Sequence, residues 1–434
     1  MSYYSKLYNL VLLPTVVVAS PIWLPVLLSK KKHRVNFWQR LGFLTKEQKR
    51  RLPDKPRIWF HAVSVGEFNL TLTLLNVLRP MLKDKYGFVV SVTTATGYEI
   101  AQKKLPPEDG LIYFPAEFYF SMEHVIKVVN PVAAVIMETE IWPNFIWGLK
   151  KRNIPILLAN GRLSDNSFHG YGRIKLFVRD VLRNIDRCMM QTPGDARRLL
   201  RLGARAETVS CDGNIKFDSV AAYEPAPRDK ALIEELGMPE NFEILLGAAL
   251  EKSGREDGMI LDVFSLIRRE HKELGLIMVP RHPERGAAMA EEVKKRGLIP
   301  RRRSLGEKFT DPQKEVFIVD TIGELKRFYT LSSIAYVGKS MFSPGGGQNM
   351  LEPVALGRPT LYGPHTRNFR GIADVLAQRG GSEIAQDAWQ LKEKVCEILS
   401  DHKRAFDLVQ RGQAYIRTQQ GVTARIADEI VNML

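Results

Sequence analysis

Cysteine is scarce in this chain: Cys188, Cys211 and Cys396 are the only three in 434 residues. Their spacing fits neither a metal-ligand pattern nor a disulfide framework. A reducing compartment is therefore expected, with the three thiols as buried spacers. Several nucleotide signatures are missing as well. There is no P-loop pattern and no GxGxxG, which argues against a P-loop NTPase and an ordinary dinucleotide enzyme. No Asp-x-Asp occurs, so a metal-held nucleotide sugar is not expected. Repeats and low-complexity segments are absent. Acidic residues are also in short supply, 48 against 63 Lys and Arg, which leaves a net charge of +15. That surplus favours anionic partners, whether nucleic acid, acidic lipid or a phosphorylated substrate, and says nothing about fold.

What the chain does have is one long apolar run. Residues 7–28 carry no charge, and as a helix they would just cross a hydrocarbon core of about 30 Å. Pro14, Pro21 and Pro25 would kink it. Lys30, Lys31, Lys32 and Arg34 follow the run and only Lys6 precedes it, so everything after residue 30 is expected in the cytoplasm. A cleaved signal peptide would show its cationic end first. The order here is the reverse, and an uncleaved anchor is the reading that fits.

From residue 57 onward, short apolar strands alternate with helical spacing. The expected strands are 57–60, 88–93, 112–114, 133–137, 154–159 and 188–191, with helices such as 68–82 and 118–129 between them. The pattern lapses near Asp218 into a Pro-containing linker. It resumes with expected strands 242–247, 275–279, 316–319, 334–338 and 360–362. Strand and helix in turn imply parallel sheets covered on both faces. The expectation is two Rossmann-like halves with a ligand cleft between them. Helical patterns at 387–399 and 405–418 end the chain, the last expected to reach back to the first half.

Polar motifs stand where these strands end. In His61-Ala-Val-Ser64-Val-Gly-Glu67, Ser64 and Glu67 have the spacing of a capping box. Glu67 also stands at the carboxyl end of the first strand, where open α/β sheets put their ligands and a carboxylate can take a proton. Thr93-Thr-Ala-Thr-Gly97 reads as a cap. In Met137-Glu138-Thr-Glu140-Ile-Trp142-Pro143-Asn144, two carboxylates follow an apolar strand and need compensation; hydrogen bonding to a ligand fits them better than helix-end decoration. Asn160-Gly-Arg162-Leu-Ser164 adds a cation, and Gly213-Asn-Ile-Lys216-Phe-Asp218 closes the half. In the second half, Arg281 follows a strand and can fork onto a phosphate or carboxylate, or pair with the adjacent helix. Asp320-Thr321 offers an N-cap. Gly345-Gly346-Gly347-Gln348-Asn349 precedes a helix, where backbone N–H groups can face an anion. Glu352, a turn further on, can accept from ribose hydroxyls.

With these residues in view, the chain resembles the bacterial 3-deoxy-D-manno-octulosonic acid (Kdo) transferases of lipopolysaccharide synthesis. The resemblance runs from the amino terminus to about Gly381. It rests on the ordered motifs above together with Pro280-Arg281-His-Pro-Glu-Arg285, Asp320-Thr-Ile-Gly-Glu-Leu325 and Gly363-Pro-His-Thr-Arg-Asn-Phe369. It implies a GT-B architecture of two Rossmann-like domains behind an inner-membrane anchor, with the enzyme facing the cytoplasm. The implied layout is an anchor and basic flank at 1–34, an acceptor domain at 35–218, a linker at 219–228 and a nucleotide-sugar domain at 229–434. The implied donor is CMP-Kdo and the implied acceptor a phosphorylated lipid A precursor, with anionic inner-membrane lipids as further partners, no nucleic acid and no cofactor or metal.

The implied reaction is an inverting transfer. Glu67 is the base, Arg281, Lys339, Gly346, Gly347, Gln348, Asn349 and Glu352 hold the donor, and Ser64, Glu138, Glu140 and Arg162 position acceptor or sugar. Transfer of another nucleotide-activated sugar acid is the alternative. Four stretches depart from the family pattern. Gln348 stands for the usual His, Gly338-Lys339-Ser340 for Gly-Gly-Ser, Gly247-Ala-Ala-Leu250 for Gly-Ser-Thr-His, and Phe114-Pro-Ala-Glu117 for Tyr-Pro-x-Asp.

Overall fold

A computed structural model describes residues 3–18, 20–21, 37–221, 223–251 and 253–434. The basic cluster at residues 30–34 and residues 19 and 22–28 of the expected anchor lie outside the described residues. The chain divides into two compact units, Met1–Ser219 with Gly421–Leu434, and Val220–Gln420.

The first unit is built on seven strands: β1 (Arg57–Ala62), β2 (Gly87–Val92), β3 (Gly110–Tyr113), β4 (Pro131–Met137), β5 (Ile156–Gly161), β6 (Arg187–Met190) and β7 (Val209–Cys211). They pair in parallel in the order β3-β2-β1-β4-β5-β6-β7. Both faces are covered, so the central strands are largely apolar rather than alternating; His61, Ser91 and Asn160 are the buried polar residues within β1, β2 and β5. Trp59 packs into one layer, while Ile58 and Phe60 pack into the other. The strand order reverses between β1 and β4. That switch point is where the carboxyl ends of an open sheet leave a crevice for ligands.

The second unit repeats the plan with β8 (Glu243–Leu250), β9 (Leu274–Pro280), β10 (Ile299–Arg302), β11 (Glu315–Ile318), β12 (Ile334–Val337), β13 (Thr360–Tyr362) and β14 (Glu383–Ile384). Its order is β10-β11-β9-β8-β12-β13-β14, with the switch point between β8 and β12.

Three expectations need correction. β7, β10 and β14 were not expected from the sequence; they are short edge strands whose residues are mostly half exposed, so they lack an apolar run. The helix that returns to the first unit is not 405–418 but Val422–Met433. Its Val422, Ile426, Ala427 and Ile430 pack into the first unit's core against the helix Val65–Leu82. Asp218 caps that returning helix, its carboxylate accepting the Gly421 N–H at 2.7 Å and the Thr423 hydroxyl at 2.7 Å. The second unit therefore closes at Gln420. Finally, only Cys188 is buried, whereas Cys211 is exposed and Cys396 partly so.

The amino-terminal helix runs Tyr3–Val18 with Pro14 inside it. No helix among the described residues is long and apolar enough to cross a membrane. One face of this helix docks on the first unit. The Tyr8 ring lies 5.4 Å from Phe177 and 5.9 Å from Trp147, and Asn9 exchanges side-chain hydrogen bonds with Asn144 at 2.8 and 2.9 Å. Leu7, Leu10, Val11, Val17 and Val18 stay exposed.

Candidate active site

At the first unit's switch point, Ser64 caps the helix Val65–Leu82 in an extended conformation and accepts the Glu67 amide. The Glu67 carboxylate turns back onto the same cap. It accepts the Val63 N–H at 2.7 Å and the Ser64 hydroxyl at 2.8 Å. Of the two readings of this stretch, capping is the one the geometry realises. The carboxylate is nonetheless not an ordinary surface cap, because Glu67 is only 8 % exposed. Burial raises its pKa, the Val63 bond opposes this, and the neighbouring Glu138 charge raises it further.

Glu138 follows β4 at φ +54°, a left-handed conformation unusual for a glutamate. Its carboxylate pairs with the Arg162 guanidinium at 2.7 Å. Lys216 belongs to the same cluster: burial lowers its pKa and the Glu138 charge opposes the shift. Glu140 completes it, accepting the Trp142 indole N–H at 3.2 Å. Burial, and then the Glu67 and Glu138 charges, push the Glu140 carboxyl up to about 7. Tyr171 feels Glu140 too, its hydroxyl raised by burial and by that charge. Ser64, Glu67, Glu138, Glu140 and Arg162 thus come together, three carboxyls among two cations.

In the second unit, the Arg281 N–H is held by the Leu250 carbonyl at 3.0 Å, and its side chain is exposed beyond β9. The Arg281 charge reaches Glu352, whose carboxyl is raised by burial and lowered by the Asn349 amide, by Arg281 and by Lys326. Asn349 donates to Glu352 at 2.9 Å and accepts the Leu351 N–H at 3.1 Å. The glycine turn departs from expectation. The amides of Gly346, Gly347 and Gln348 donate to the carbonyls of His365, Lys339 and Gly338 at 2.8, 2.8 and 3.3 Å. They tie the turn to its neighbours instead of facing an anion. The glycines are needed for shape: Gly346 and Gly347 have φ +134° and +72°, and a Cβ at Gly346 would stand 2.8 Å from the Asn368 amide.

Lys339 likewise has a left-handed backbone, φ +59°. The group that holds it there is one that sequence reasoning missed. Glu256 is fully buried, and its carboxylate accepts the amides of Glu251, Lys339, Ser340 and Met341 and the Tyr336 hydroxyl, at 2.6 to 3.1 Å. No motif flags an acidic residue in a helix's first turn as an interior anchor. Glu117, noted in the sequence only as a departure from the family pattern, caps the helix Pro143–Lys150 through the Asn144 N–H, and burial pushes its carboxyl up to about 8. Other motifs are structural. Thr94 and Ser164 cap their helices, and Asp320 binds Arg302 and Ser304.

Residues 35–219 match the family described as 3-Deoxy-D-manno-octulosonic-acid transferase (kdotransferase). A 3-deoxy-D-manno-octulosonic acid transferase of Haemophilus influenzae is 31% identical over 400 residues, 92% of this chain and 91% of the relative. One of Bordetella pertussis is 28% identical over 87% of each chain. Among solved structures, a glycosyltransferase from Rickettsia africae shares the fold with TM-score 0.56 at 14% identity, over 87% of this chain and 98% of that one.

Proposed function

The chain belongs to the 3-deoxy-D-manno-octulosonic acid transferase family, a GT-B glycosyltransferase of lipopolysaccharide synthesis, and on that premise we propose a division of labour for its residues. The reaction moves Kdo from CMP-Kdo to a lipid A precursor in a single displacement. The acceptor oxygen bonds to the anomeric carbon as the bond to the CMP phosphate oxygen breaks. Glu67 takes the hydroxyl proton. Each of its carboxylate oxygens retains a lone pair beyond the cap bond it accepts, and burial strengthens it as a base. Arg162 and Lys216 attract the acceptor's phosphates, and Glu138 holds Arg162 in place. Arg281 and Lys339 balance the phosphate of the departing CMP, and Glu352, steadied by Asn349, accepts from the ribose.

The observation that carries this reading is the gathering of three carboxyls and two cations at the first unit's switch point. A second reading makes Glu140 the base, favoured by its rise to about 7, near the working pH of such a group. We place the enzyme at the inner membrane, facing the cytoplasm. Support comes from the exposed apolar side chains of the helix Tyr3–Val18 and from the +15 charge, which suits anionic headgroups. The test offers purified protein a tetra-acylated lipid A precursor with either CMP-Kdo or CMP-sialic acid. Mass spectrometry should detect the Kdo adduct alone; a sialylated product, or none with Kdo, contradicts the assignment.

A further inference from the structure

We propose that Glu270, His271 and Cys396 bind a transition-metal ion of the zinc type in the second unit. A carboxylate oxygen, an imidazole nitrogen and the thiol sulphur of these residues lie within 4.8 Å of one another. The donor set decides the class of ion. Calcium and magnesium take oxygen ligands, whereas a thiolate with an imidazole and one carboxylate suits zinc and its neighbours.

Two rigid elements present the donors. Glu270 and His271 form the turn that ends the helix Arg255–Ile267, where the His271 N–H returns to the Ile267 carbonyl at 2.9 Å and the Leu274 N–H closes onto His271 at 3.3 Å. Cys396 lies on the helix Ala388–Ser400, which is fixed by the buried Leu391, Val395 and Ile398 and packs against the helix Arg255–Ile267. Lys392, one turn before Cys396, donates to Glu270 at 3.1 Å. The cluster therefore already draws a cation, and this ammonium must swing into solvent when the metal enters. Binding replaces the thiol proton, which leaves with water, and the fourth tetrahedral position falls to solvent. Glu270 and His271 precede the amino end of β9 in the chain, whereas Arg281 follows its carboxyl end. The ion is accordingly a clip between two helices and takes no part in sugar transfer.

Cobalt(II) is the probe. Titrated into the purified full chain, it should bind at one equivalent with a thiolate-to-cobalt charge-transfer band and intense tetrahedral d–d bands. Cys396→Ser and His271→Ala should each lose the charge-transfer band or its one-to-one stoichiometry, while Cys211→Ser keeps both. Zinc at about ten times its dissociation constant should raise the melting temperature by about 2–4 °C in the native chain and not in Cys396→Ser. A native chain without the band, a band that survives Cys396→Ser unchanged, or its loss in Cys211→Ser overturns the site.

Discussion

A non-glycine residue in the left-handed region costs on the order of 1–3 kcal/mol, and such residues concentrate where function over-determines the backbone. Glu138 and Lys339 are both of this kind, and each follows the strand at a switch point. Lys339 stands where the family pattern has glycine, so Lys339→Gly should raise stability by roughly 1 kcal/mol. The same change should weaken binding of CMP, measured by calorimetry; unchanged affinity would remove Lys339 from the donor site. Glu140 makes a pH prediction. Its carboxyl titrates near 7 in the fold against an ordinary value of 4.5. Between those values the folded chain keeps a proton that the unfolded chain releases, so stability falls as pH rises through that window. Glu140→Gln should flatten the fall in melting temperature over the window. An identical pH slope in the variant would show that Glu140 ionises freely. If Glu140 rather than Glu67 were the base, the native rate would drop below pH of about 7 and Glu140→Gln would abolish it.

At the scale of elements, much was legible because burial writes itself into sequence. Every central strand is an apolar run, and Thr360–Tyr362 matches its expected bounds. The motifs at the strand ends did come together around β1, β4 and β5. The features that escaped have no local signature. The edge strand Ile299–Arg302 carries two arginines in four residues. The helix Val422–Met433 finds its partner far away in sequence. The amides of the glycine turn are claimed by the carbonyls of Gly338, Lys339 and His365, near in sequence but paired by a loop geometry that no residue pattern announces. That returning helix sets the next prediction. Ending the chain at Gln420 would uncover the apolar face that Val422, Ile426 and Ile430 close, a loss on the order of 5 kcal/mol at about 1.5–3 kcal/mol per large side chain. The shortened chain should show a lowered first-unit melting transition while still binding CMP through its second unit. An unshifted transition would mean that the helix is dispensable.

For the whole molecule, two sheets of one plan are given different chemistry by the residues at the carboxyl ends of their central strands. The first carries carboxyls that titrate, the second an exposed arginine, a strained lysine and a hydrogen-bonded glutamate. The surplus of 15 positive charges accompanies both. Binding to anionic vesicles should therefore fall steeply as salt shortens the screening length from about 10 Å at 0.1 M to about 3 Å at 1 M. Flotation that ignores salt would assign the attachment to apolar insertion instead. The proton transfer at Glu67 is the claim most open to disproof, because its carboxylate also caps a helix. Single-turnover transfer from CMP-Kdo by Glu67→Gln tests it directly, since glutamine keeps an acceptor for the cap. The rate expected is about 10²–10⁴-fold below that of the native chain, with CMP affinity unchanged; a rate within a few fold of native would contradict the assignment.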